Sequence, residues 1–243
     1  MKKNSNKEQS IEYLITKKYR RLYNHILKSK ESLILNGYWK QKKFNGARMI
    51  VISEALKKNT QLKEIDLANN EIEAEDMKHL SESLIINSFL KKLDLRSNKI
   101  DDNAIKYLYE SLKQNSTLEE ICLRKNKFGA EGIKYISEAL KLNSTLKKIF
   151  FLENSFEKEG MKHFSECLKV NGSLKSINLS ITKIGNEEMK YLCQSLTING
   201  SLKSLDLTGN DIKEEGIKYL SDSLLINTSL IKLCKKKKKK INN

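Results

Sequence analysis

The chain of 243 residues has no proline, one tryptophan, three histidines and four cysteines, and aromatic residues make up 7% of it. Without proline there can be no proline-rich linker. No apolar run is long enough to cross a bilayer, and the basic start M-K-K-N-S-N-K is not followed by the apolar stretch that a secretory leader needs. A cytoplasmic location is therefore expected, with the nucleus as the alternative because of the lysine run Lys235 to Lys240. The cysteines lack metal-ligand spacing, so reduced thiols and no metal are expected. His25, His79 and His163 form no cluster in the sequence, no glycine-rich phosphate loop occurs, and no serine or cysteine has a base at a recognisable spacing. An enzyme is not expected, and neither is a cofactor.

What the chain does contain is a period. The frame L-x-x-[LI]-x-[LF]-x-x-N-x-[IF] starts at Leu62, Leu90, Leu118, Leu146, Leu174 and Leu202, each 28 residues after the last, and again in shortened form at Leu230. Self-similarity at such a period marks a solenoid, in which each unit buries its apolar face against its neighbours. Alternation within the frame makes it a strand: Leu93 and Leu95 point into the core, while Lys92, Asp94 and Arg96 point out of the sheet. Asn98 and its equivalents stand where the strand turns away. Their amides are expected to bond neighbouring turns as a ladder, which Thr182, in the asparagine position, should interrupt.

The second half of each unit has helical spacing. Met77, Leu80 and Leu84 recur as Ile105, Leu108 and Leu112, as Ile133, Ile136 and Leu140, and onward to Ile217, Leu220 and Leu224. Each helix is followed by an asparagine, from Asn87 to Asn227, a residue that tolerates the left-handed conformation common at helix ends. The fold class is thus α/β: a horseshoe solenoid with an inner parallel sheet and outer helices.

These residues resemble the ribonuclease-inhibitor-like class of leucine-rich repeats, which includes the repeat regions of NOD-like receptors, the Ran GTPase-activating protein and tropomodulin. The likeness covers roughly residues 34 to 233. It implies a recognition scaffold, an inference that fold alone carries only by analogy.

Five regions follow. Residues 1–9 form a disordered basic start, and 10–33 hold a capping helix with the apolar stripe Ile11, Leu14, Ile15, Tyr19, Leu22, Tyr23, Ile26 and Leu27. Residues 34–61 are a degenerate first repeat, with Ile34, Gly37, Trp39, Lys42 and Phe44 set 28 residues before their counterparts. Residues 62–229 are six regular repeats, and 230–243 are a partial strand with a lysine-rich tail. The formal charge of +16 sits at the ends: residues 1–60 carry +11 and the lysine run adds six, while 61–234 sum to −1. A nucleic-acid reader is unlikely from such repeats, except through the basic ends, because sequence-independent affinity follows the phosphates a surface neutralises.

The outward strand positions form the row Tyr38, Asp66, Asp94, Cys122, Phe150, Asn178, Asp206 and Cys234, flanked by Lys40, Ala68, Arg96, Arg124, Leu152, Ser180, Thr208 and Lys236. An aromatic and arginines inside a polar rim have the composition of an interface centre. Asp66, Asp94, Arg96, Cys122, Arg124, Phe150, Leu152, Asn178 and Asp206 are accordingly the candidate partner-binding residues. The expected function is a non-enzymatic scaffold that holds a protein or peptide of unspecified identity on this face. The alternatives are regulation of a small GTPase, which the resemblance permits, and attachment to nucleic acid or acidic membrane through the basic ends. A monomer is expected, or copies meeting end to end through the last repeat.

Overall fold

The computed structural model describes residues 10–37 and 46–235. A helical stretch from Ser10, with a π-helical turn at Leu14–Lys18, breaks at Tyr19 and resumes as α1 (Arg20–Lys28). The repeats then follow as β1 (Ser32–Ile34), α2 (Gly46–Lys58), β2 (Glu64–Asp66), α3 (Ala74–Ile86), β3 (Lys92–Asp94) and α4 (Asp102–Gln114). After these come β4 (Glu120–Cys122), α5 (Ala130–Leu142), β5 (Lys148–Phe150), α6 (Glu157–Val170), β6 (Ser176–Asn178), α7 (Asn186–Leu196), β7 (Ser204–Asp206), α8 (Glu214–Ile226) and β8 (Lys232–Cys234). The strands form one parallel eight-stranded sheet in sequence order. Each helix packs on the next, from α1 against α2 to α7 against α8. This is the expected α/β solenoid.

The apolar positions named from the sequence make one continuous core. Leu93 and Leu95 are buried beside Ile105, Leu108 and Leu112, and the same holds in successive repeats. Burial weakens in α8, where Leu220 is buried but Ile217 and Leu224 are each 36% exposed. In α1, Tyr23 and Ile26 are buried, and Leu14, Ile15, Tyr19 and Leu22 pack partly against the core. That helix covers the apolar side of α2, which would otherwise face water at the start of the array.

The register corrects the reading of the first repeat. From β2 to β8 each strand pairs with the residue 28 positions on, but Leu33 pairs with Ile65 and Ile34 with Asp66, an offset of 32. The first repeat thus begins four residues before Ile34. Leu33 and Leu35 point inward, and Gly37, rather than filling a strand position, has φ 56° in the turn that follows. Among the described residues the same turn position is left-handed in each later repeat: Asn69, Ser97, Lys125, Glu153, Ile181 and Gly209 all have positive φ. Glycine adopts that conformation at no steric cost, and this is why it stands there. Tyr38, Trp39, Lys40, Lys42, Phe44 and Lys236 lie outside the described residues.

The helix-end asparagines also depart from expectation. Their backbones are extended, with φ −71° and ψ 122° at Asn87 and similar values at Asn115, Asn143, Asn171 and Asn227. Asparagine is there for its side chain. Asn143 Nδ2 donates to Leu112 O at 2.7 Å and Asn115 O at 3.1 Å, and its Oδ1 accepts from Thr145 N at 3.0 Å and Leu146 N at 2.8 Å. Asn87, Asn115, Asn171, Asn199 and Asn227 repeat this pattern. Asn59 carries it to the end of α1 by donating to Ile26 O and Ser29 O. Each amide thereby takes helix-end carbonyls of the preceding repeat, which have no partner within their own helix.

The expected ladder under the strand ends is present and interrupted where the sequence implied. Asn98 Nδ2 donates to Leu67 O and Leu95 O, and its Oδ1 accepts from Asn70 N and Ile72 N. At Thr182 the hydroxyl still donates to Leu179 O. Asn154 N, whose counterparts Asn70 N, Asn126 N and Thr182 N bond an asparagine side chain, turns to Phe151 O instead. Phe151 belongs to a buried edge-to-face cluster with Phe128, Phe156 and Phe164, with centroids 5.0–6.3 Å from its own.

Candidate functional site

The concave sheet face presents three outward residues per strand in the same register, and its two halves differ in chemistry. In the half from β2 to β5 the charges satisfy one another. Lys92 Nζ lies 2.5 Å from Glu64 and Lys148 Nζ 3.1 Å from Glu120. Arg96 bridges Asp94 at 3.1 Å and Asp66 at 3.4 Å, and Arg124 is held by Glu153 at 2.7 Å. Towards the last repeats the same rows hold Ser176, Asn178, Ser180, Ser204, Asp206 and Thr208.

Several row residues have a structural duty. Asp66, Asp94, Asn178 and Asp206 each accept the backbone N–H two residues on, from Ala68, Arg96, Ser180 and Thr208, and so close the turn after the strand. Asn178 Nδ2 also donates to Asp206 at 3.3 Å. Burial raises the Asp94 carboxyl above its usual range, against the pull of the Arg96 N–H and guanidinium. Burial likewise pushes the Cys122 thiol up to about 11, so it stays protonated and is no nucleophile.

Phe150 and Leu152 carry no such duty. Both are half-buried, Phe150 lies between Cys122 and Asn178 in the row, and neither side chain has a polar atom to close a turn. The candidate residues therefore fall into three groups on one face: Asp66, Asp94 and Arg96 joined as an ion triad; Phe150 and Leu152, with Cys122 on one side and Asn178 and Asp206 on the other; and Arg124 drawn aside to Glu153. Sequence reasoning missed Ile34, which the 32-residue register brings onto the row at 72% exposure. It borders a shallow depression of about 340 Å³ with Glu64, Asp66, Lys92, Asp94 and Cys122. The alternation of Leu33 and Leu35 was the signal that could have found it.

The sheet is positioned by caps that pass between repeats. Asp102 Oδ1 accepts from Gly129 N and Gly132 N at the start of α5, and Asn186 Oδ1 does the same for Lys213 N and Gly216 N at α8. A Cβ on Gly132 would lie 2.7 Å from Asp102 Oδ1 and 2.8 Å from Phe128 Cβ, and one on Gly216 2.8 Å from Asn186 Oδ1 and 2.7 Å from Ile212 Cγ2, so glycine is what allows the close approach. Among the described residues no group of three or more His, Cys, Asp or Glu is placed to hold a metal ion, and no helix is long and apolar enough to cross a membrane.

Residues 40–160 match the family described as the TMOD/LMOD leucine-rich domain, and residues 199–221 match a leucine-rich repeat family. No curated protein matches the chain. Among solved structures, the leiomodin-1 actin-binding site 2 is 23% identical, with a TM-score of 0.51, covering 67% of this chain and 87% of its own. A Bacteroides fragilis protein is 14% identical, with a TM-score of 0.51, covering 94% of this chain and 70% of its own. The tropomodulin C-terminal domain of Caenorhabditis elegans is 17% identical, with a TM-score of 0.49, covering 68% and 92%. With its 28-residue register from β2 to β8 and parallel inner sheet, the chain is a leucine-rich repeat protein.

Proposed function

We propose that the chain is a non-enzymatic, cytoplasmic protein-binding module that seats its partner on the concave sheet face around Phe150 and Leu152. The observation that carries this is the pair itself: the two apolar residues stand half-exposed in a row whose acidic and amide members are occupied in closing turns. A flat apolar centre inside a polar rim excludes water from the contact and lets the rim set orientation. Asp66, Asp94, Arg96, Cys122, Arg124, Asn178 and Asp206 form that rim. Because the arginines are already paired with acids of the same chain, the rim contributes selectivity rather than affinity.

A family match to the TMOD/LMOD leucine-rich domain and likeness to a segment named as an actin-binding site support actin as the first partner to try. Co-sedimentation with filamentous actin and binding to monomeric actin would be measured for the wild type and for a Phe150→Ser, Leu152→Ser variant of confirmed fold. Loss of about tenfold or more in affinity, in line with removal of an interface centre, is the expected result. Equal binding by both proteins would remove the concave face from the reading. If the wild type binds neither form of actin, that partner is excluded.

A further inference from the structure

The solenoid edge where helices end and strands begin carries a second surface. The residue before each helix-end asparagine lies outside the core, and over the last four such turns it is always aliphatic: Leu142, Val170, Ile198 and Ile226, exposed to 64%, 66%, 61% and 62%. The strand register is constant from β2 to β8, so these side chains form one line. Helices in contact lie 8–10 Å apart, which gives the line a length of roughly 25–30 Å. A small residue, Ser144, Gly172, Gly200 or Thr228, follows each asparagine and is exposed, so the aliphatic groups stand proud as a ridge.

Charge within the turns that carry the ridge has one sign, and the acid that borders it, Asp222, lies on the helix side beside Ile198 and Ile226. The turns read K-L-N-S-T-L-K, K-V-N-G-S-L-K, T-I-N-G-S-L-K and L-I-N-T-S-L-I, with five lysines and no acid. Helix C-termini favour cations, which accounts for Lys141 and Lys169. It does not account for Lys147, Lys175 and Lys203 beyond the turn, or for the aliphatic line. Lys169 is held by Glu166, and Lys147 by Glu119 of the preceding repeat. Lys141, Lys175 and Lys203 are exposed and have no ion pair among the described residues.

We infer that this edge is a docking surface for an anionic lipid bilayer, with the ridge entering the headgroup boundary and the flanking lysines meeting lipid phosphates and carboxylates. Apolar side chains that lie along an interface between cations bind by this combination of partial insertion and charge. An acidic amphipathic helix would share the chemistry, but it buries its apolar stripe in a groove, whereas here the aliphatic groups protrude.

The test uses the full chain, basic ends included, with vesicles of phosphatidylcholine containing phosphatidylserine and with vesicles of phosphatidylcholine alone. Wild type should co-sediment with the first and not the second. A Leu142→Ser, Val170→Ser, Ile198→Ser, Ile226→Ser variant, folded by circular dichroism, should bind about tenfold or more weakly. Lys141→Gln, Lys175→Gln and Lys203→Gln should each cost about fivefold. A Val170→Trp variant that also carries Trp39→Phe should shift its emission to the blue on adding anionic vesicles, which binding through the basic ends alone would not produce. Unchanged sedimentation of the ridge variant would assign any binding to the basic ends and overturn the inference. Failure of the wild type to bind would overturn it too, as would ridge-dependent binding of an acidic amphipathic peptide without vesicle binding.

Discussion

At the helix-end edge one asparagine pattern repeats at every turn from Asn59 to Asn227, whereas at the strand-end edge the corresponding side chain is replaced once, at Thr182. Both ladders answer the same requirement: backbone groups at element ends are taken out of water and need partners from the next repeat. They differ in what else can supply those partners. The carbonyls at the helix end and the N–H groups of the following turn converge on one amide, which uses both N–H bonds and both acceptor sites. At the strand end a left-handed turn lets the chain bond itself, as Asn154 N does with Phe151 O. The second edge therefore tolerates irregularity: threonine at 182, a β-branched residue at positive φ at Ile181, and a phenylalanine cluster beside them. The central strand that presents Phe150 leads into this edge.

Breaking the complete ladder should have the largest effect. Asn143→Ala removes four hydrogen bonds to backbone groups and leaves those buried groups unpaired, so denaturant unfolding should show a loss of about 3–4 kcal/mol. Asn154→Ala at the other edge, where three bonds are made and the chain has an alternative, should cost about 2 kcal/mol. Equal losses would contradict the distinction between the edges.

Asp76 gives a smaller effect with a defined pH dependence. Its carboxyl, at the N-terminus of α3, is pushed up to about 6, first by burial and then by Glu73 and Glu75, against the Glu73 N–H that it accepts. A raised carboxylate pKa favours the native state below the unfolded value near 4, and that stability is lost as pH rises through about 6. Asp76→Asn should therefore be about 1 kcal/mol more stable than the wild type at pH 8, with the difference shrinking towards pH 4, in paired melts across that range. A constant difference would mean that the carboxyl does not titrate there.

The smallest effect should come from repairing the interrupted edge. Thr182→Asn offers Asn154 N the acceptor that its counterparts have, and should raise stability by about 0.5–1 kcal/mol. A loss on substitution would show that the phenylalanine cluster leaves no room for the amide.

The period, the inward faces of strand and helix, the strand-end ladder and its failure at Thr182 were legible in the sequence, because a repeated unit reveals each role by recurrence. The Phe150 and Leu152 departure was legible for the same reason, against six aligned copies. Where copies were absent or the recurrence was ambiguous, tertiary structure decided. The first repeat has no second copy with its 32-residue length, so the alternation of Leu33 and Leu35 had no aligned copy to set its register, and pairing with β2 placed Ile34 rather than Tyr38 beside Asp66. Asparagine at the helix end recurs, but recurrence cannot tell a backbone role from a side-chain role. The pairing of Arg96 with Asp66, of Arg124 with Glu153, and the reach of Asp102 to Gly129 and Gly132 join residues 27–30 positions apart. Sequence alone determined which residues face inward, since burial follows local periodicity. Which polar groups satisfy one another was decided only when the coil of the solenoid brought successive repeats within hydrogen-bond reach.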